Sequence, residues 1–204
     1  CDLAREIGTN LKQASDETGI RTVLISRSDS TLRGHFPAEV DAMAEVMGKT
    51  KLPYLILPFF LEGGRYTIND IHYVQEGDEL IPAAHTPFAK DAAFGFSCSN
   101  LKEWVEEKSA GRIRAAEVVS VTIDDIRLGG PVRVAEILSG VQPGSACIVN
   151  AASYRDMEVL VTALLKVEDS GKEFLYRTAA SFVRTRTGLH HRAGLLSKSE
   201  LICD

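Results

Sequence analysis

The run Ser26-Arg27-Ser28-Asp29-Ser30-Thr31-Leu32-Arg33-Gly34-His35 gathers two guanidiniums, a carboxylate and several hydroxyls in one short stretch. A guanidinium clasps a carboxylate through two parallel hydrogen bonds, while Asp and Ser side chains bond neighbouring hydroxyls. Such a set suits a polyhydroxy acid. The competing structural reading is a capped loop in which Asp29 and Arg33 form a surface ion pair. A second stretch, Gly63-Gly64-Arg65-Tyr66-Thr67, offers another guanidinium on a pliant backbone that could close over a ligand, or an ordinary turn with a solvated arginine. A third, Arg177-Thr178-Ala179-Ala180-Ser181-Phe182-Val183-Arg184, adds Arg177, Thr178 and Ser181. The amide of Asn150 can both donate and accept.

Other chemistries find little support. Histidines 35, 72, 85, 190 and 191 lack metal-ligand spacing, and cysteines 1, 98, 147 and 203 form no C-x-x-C pair, so we expect free thiols and no metal site. The chain contains no G-x-x-x-x-G-K-[ST] phosphate loop, no G-x-G-x-x-G after a strand and no G-x-S-x-G elbow. Leu101, Trp104 and Val105 read as helix core rather than as a stacking platform.

The elements that must position these residues follow from hydrophobic spacing. Leu3, Ile7, Leu11 and Ala14 predict a helix that stops at Gly19, and Thr22 to Ile25 predicts a buried strand. Pro37 suits a first helical turn before Val40, Met43 and Met47, and Tyr54 to Pro58 is the next strand, which completes a βαβ unit. The stretch 63–67 reads as a loop, and His72-Tyr73-Val74 turns through Glu76-Gly77-Asp78 towards Leu80-Ile81 as a β-hairpin insert. Ser99 is positioned to cap a helix containing Leu101, Trp104 and Val105; a strand spans 118–123, a short helix 131–138, a strand 146–149, a long helix 154–168 and a last strand 174–176. The fold class is α/β, a three-layer domain with a mainly parallel sheet and a β-hairpin insert. Ligands of such sheets sit beyond the carboxyl ends of the strands, where all three polar stretches fall.

A chain of 204 residues, 45% hydrophobic and 25% charged, fits one globular domain. The formal charge of -5 and the absence of a Lys/Arg run argue against nucleic acid, and no apolar stretch approaches the roughly 20 residues that span a bilayer. We therefore expect a cytoplasmic protein. An N-terminal Cys1 raises lipidation, but the helical pattern begins at once without a polar tether, so a trimmed chain is the expectation.

Asp29-Ser30-Thr31-Leu32-Arg33-Gly34 resembles the D-S-T-x-R-G signature of the four-carbon acid sugar kinase family. Leu57-Pro58-Phe59-Phe60 with Gly64-Arg65-Tyr66-Thr67 resembles that family's P-x-F-x-x-x-G-R-x-T segment, and Arg177 to Phe182 its R-T-A-A-S-F segment. The resemblance implies a sugar-acid-binding domain over 1–186 and a linker over 187–204. The family's opening D-D-x-T-G strand, expected to supply the base, would precede Cys1, and its nucleotide-binding domain would follow Asp204. It further implies ATP-dependent phosphorylation of a terminal hydroxyl of a threonate or erythronate type of acid, with ATP and Mg²⁺ held by that C-terminal domain and no cofactor in this stretch. The expected partners are the sugar acid and the C-terminal domain, with room for a homodimer. Substrate contacts are expected from Arg27, Asp29, Ser30, Arg33, Gly34, Arg65, Thr67, Asn150, Arg177 and Ser181, with Arg33 as carboxylate clamp and Asp29 on a hydroxyl. The alternatives are a non-catalytic sugar-acid-binding or regulatory module, and, more remotely, a phosphatase with Asp29 as nucleophile, which would need a second Asp two residues on.

Overall fold

The computed structural model describes residues 1–189; His190, His191, Cys203 and the expected linker beyond Leu189 lie outside the described residues. Five parallel strands form the main sheet: β1 (Ile25–Arg27), β2 (Tyr54–Leu57), β6 (Val119–Val121), β7 (Ala146–Val149) and β8 (Leu175–Thr178), in the order β1-β8-β2-β7-β6. A separate antiparallel sheet holds β3 (Arg65–Ile68), β4 (Ile71–Glu76) and β5 (Glu79–Pro82). The expected α/β class and hairpin insert are present, but 63–67 is not a loop throughout. Arg65 begins a strand, because the Phe60–Arg65 backbone pair closes a tight turn at Gly64 (φ 67°).

Strand alternation divides the core. Leu55, Leu57, Cys147, Val149 and Tyr176 face α5 (Gly130–Gly140), which follows the short α4 (Ile123–Arg127), and α6 (Tyr154–Asp169), while Ile56, Ala146, Ile148 and Leu175 face α2 (Ala38–Val46) and α3 (Leu101–Lys108). Period-two strands buried on both sides are what a parallel sheet between two helical layers requires. Trp104 is fully buried, as its place in the α3 pattern predicts. The cap of α3 is Asn100, whose side chain accepts the Lys102 N–H, whereas Ser99 accepts from Ala84 instead.

Helix α1 (Asp2–Thr18) ends on Gly19 at φ 66°, as expected. It packs on α2 through Ala4 and Gly8, leaving Leu3 and Ile7 exposed. Small residues allow the closest helix approach, and here they decide the buried face. The strand expected over 22–25 is displaced to Ile25–Arg27 because its pairing with Tyr176 to Thr178 begins at Ile25. Cys1, Cys98 and Cys147 are free thiols.

Candidate functional site

The loops after β1, β2 and β7 meet the small sheet at the carboxyl edge of the main one. Two backbone bonds between Thr67 and Ala151 (3.1 and 2.9 Å) join β3 to the segment after β7. His72 on β4 reaches the loop after β1, with Nε2 2.7 Å from the Ser30 carbonyl and Nδ1 2.9 Å from the Thr67 hydroxyl. A carbonyl only accepts, so Nε2 carries the proton and Nδ1 accepts from Thr67. Burial pushes the His72 pKa down to about 4, which keeps the ring neutral.

Asp29 builds its own loop. One carboxylate oxygen accepts the N–H groups of Thr31 and Arg33, each at 3.2 Å, and also the Thr31 hydroxyl. This holds Leu32 at φ 69°, a conformation that costs a non-glycine residue on the order of 1 kcal/mol, with its side chain fully buried as an anchor. Gly34 lies at φ 114°, which favours glycine.

Arg33 gives every guanidinium nitrogen to a carboxylate of its own chain. Nε and Nη2 lie 3.1 and 3.4 Å from Asp29, and Nη1 lies 3.5 Å from Asp91. The carboxylate expected in its clamp is therefore that of Asp29. Burial raises the Asp29 pKa, but the Arg33 and Thr31 bonds outweigh it and leave the carboxyl below its ordinary value.

Two further guanidiniums converge here. Arg33 and Arg65 both lie over the Phe88 ring, 5.1 and 5.4 Å from its centroid. Arg65 bonds the Gly63 carbonyl, has no carboxylate partner among the described residues, and keeps a buried Nε without an acceptor. Desolvation lowers its pKa. Arg177, fully buried on central strand β8, stacks 5.1 Å over Trp104 and donates Nη2 to the Arg33 carbonyl at 3.2 Å. Its Nε and Nη1 have no acceptor among the described residues, and burial pulls its pKa down to about 10. Arg33, Arg65 and Arg177 thus gather around Asp29, with Asp91 on Arg33 and the more distant Glu76 and Glu39 acting on Arg65 and Arg177, while buried nitrogens of Arg65 and Arg177 lack acceptors among the described residues. Such a place favours an anion with oxygens to share.

The remaining candidates lie around this cluster. Asn150 is buried and spends its amide on the Asp70 N–H and carboxylate (2.8 Å each) and the Val121 carbonyl (3.0 Å). Thr67 is buried against His72, and Ser30 supplies the His72 acceptor. Ser181 accepts the Leu61 N–H at 3.1 Å and lies with Tyr154, Glu62 and Arg184 in a separate polar group. Arg27 is exposed at the end of β1, with no side-chain bond among the described residues. Phe88 and Asp91 were not legible, because they stand on a short irregular segment without periodicity; His72 was set aside for want of metal spacing. Among the described residues no group of three His, Cys, Asp or Glu side chains could hold a metal. The hollow lined by Val40, Met43, Phe174 and Leu175 lies at the start of β8 and is not lined by Arg33, Arg65 or Arg177.

A family model described as a sugar-binding N-terminal domain matches residues 2–186. No curated protein matches the chain. Among solved structures, a Haemophilus influenzae protein assigned to a domain family of unknown function is similar at 20% identity and TM-score 0.66, over 91% of this chain and 42% of that one. A domain of unknown function of the same family from Bordetella bronchiseptica, a domain-swapped dimer with bound citrate, is similar at 20% identity and TM-score 0.60, over 90% of this chain and 40% of that one. At that identity the likeness concerns the fold, and the chain spans about two fifths of the length of either neighbour.

Proposed function

The chain belongs to the sugar-binding N-terminal domain family, and from that premise we propose that its arginine-lined edge binds the carboxylate of a small sugar acid. The observation that carries this reading is Arg65, a half-buried guanidinium beside Arg33 over the Phe88 ring that pairs with no carboxylate among the described residues. Arg65 takes the clamp role, Arg177 supplies buried positive charge, and Arg33 with Asp29 shapes the loop after β1. Hydroxyl contacts come from Ser30 and the exposed polar groups of that loop, including Arg27. Thr67, Asn150 and Ser181 act through the residues they hold.

In the whole protein we propose that this domain orients the terminal hydroxyl of a four-carbon acid of threonate or erythronate type for phosphorylation by ATP. The D-S-T-L-R-G run supports this reading, and the citrate carried by the Bordetella neighbour supports a hydroxy-acid ligand. In the same proposal ATP and Mg²⁺ are held by a C-terminal nucleotide-binding domain, and no chemical step is assigned to this stretch. Assembly as a homodimer and a cytoplasmic location are part of the same proposal. The test is full-length protein with ATP, Mg²⁺ and each acid: ADP release with phosphorylated acid supports the kinase. Acid binding without turnover would favour a binding or regulatory module, and no binding of either acid contradicts the whole reading.

A further inference from the structure

Arg33 meets two carboxylates of different standing. Asp29 belongs to the same loop and is held by the N–H groups of Thr31 and Arg33 as well as by the guanidinium. Asp91 comes from a separate segment and reaches Nη1 at 3.5 Å, the long limit of a hydrogen bond. Its other oxygen caps the N–H groups of Ala93 and Phe94 at 3.0 Å each, so only one side of the carboxylate faces the arginines. The same segment, a 3-10 turn over Pro87–Lys90, lays Phe88 across Arg33 and Arg65. Arg65 at Phe88, and Arg177 (1% exposed) behind the Arg33 carbonyl, keep buried nitrogens without acceptors among the described residues. Among the described residues, the carboxylate from outside the loop that hydrogen-bonds one of these guanidiniums is that of Asp91.

We propose that Asp91 is an internal stand-in for the ligand's carboxylate, holding Arg33 Nη1 beside the Arg65 clamp until a sugar acid clamped by Arg65 extends to Nη1, displaces it and moves Pro87–Asp91 off the arginines. The inference rests on the sugar-acid reading of this edge. It makes Asp91 a determinant of affinity that selects for ligands able to replace a full negative charge. An occupant present nine-tenths of the time weakens a ligand about tenfold.

Asp91→Asn separates the two roles, since the amide oxygen can still cap Ala93 and Phe94 while the negative charge facing Arg33 is lost. In the full-length protein, calorimetric titration with threonate and erythronate should show roughly tenfold tighter binding to Asp91→Asn than to wild type, and erythritol should show no change. Trypsin should cleave wild type after exposed Lys90 faster when the bound acid is present, read by mass spectrometry. Equal or weaker acid binding by Asp91→Asn, or slower cleavage at Lys90 with acid, overturns the stand-in and leaves the sugar-acid site intact. Failure of both proteins to bind either acid overturns the site itself.

Discussion

Arg33 was legible in the sequence as a guanidinium beside a carboxylate, but which carboxylate it holds was not. The spacing of Asp29 and Arg33 admits a ligand clamp and an internal pair equally, and the left-handed Leu32 decides for the pair by turning the Arg33 side chain back on Asp29. Arg33→Lys should therefore reduce stability and acid binding together, by about 1–3 kcal/mol in a thermal melt; a loss of binding with an unchanged melting temperature would restore the direct clamp. His72 gives a pH signature. Its folded pKa of about 4 lies below the unfolded value near 6.5, so the stability it contributes is complete above that value and is lost as pH falls towards 4. Asp29, lowered rather than raised, contributes stability that is present above its unfolded value near 3.9 and is lost below it, outside the His72 window. Melting temperature should therefore fall between pH 6.5 and 4 in wild type, and less in His72→Gln, which keeps a donor for the Ser30 carbonyl. Parallel curves for the two proteins would mean that His72 does not titrate there.

At the scale of elements, periodicity located the five longer helices and all the parallel strands to within a few residues, because strands buried on both faces leave continuous apolar runs such as Ala146–Val149, whereas the short helices Ile123–Arg127 and Ala180–Arg186 span too few turns to show a period. Strand order was not legible. β8 enters between β1 and β2, which the local βαβ pattern makes look adjacent, and this is what buries Arg177 beside the loop after β1. Nor could the sequence show how the small sheet docks, because Asn150 and Asp70 are far apart in the chain. The Asn69-Asp70 turn, left-handed at both residues (φ 52° and 63°), places the Asp70 carboxylate to accept from Asn150 and from Ser120 at 2.7 Å. Asn150→Ala should cost about 1–3 kcal/mol by leaving the Asp70 N–H without its acceptor. Hydrogen exchange at that amide should speed up with it, and unchanged protection would mean that the small sheet is held by other contacts.

For the molecule, a formal charge of -5 coexists with three arginines gathered at the carboxyl edge of the sheet. Helices on both sides of the sheet supply the apolar surroundings that make an unpaired guanidinium costly and an incoming carboxylate welcome. The central claim is that Arg65 receives that carboxylate, and its most direct test is calorimetric titration of full-length wild type and Arg65→Gln with threonate, erythronate and the neutral erythritol. Losing a charge-assisted bond of about 1.5–3 kcal/mol should weaken acid binding by one to two decades, leave erythritol unaffected and barely move the melting temperature. Equal losses for acids and erythritol, or undiminished acid binding, would contradict the assignment of Arg65 as the carboxylate clamp.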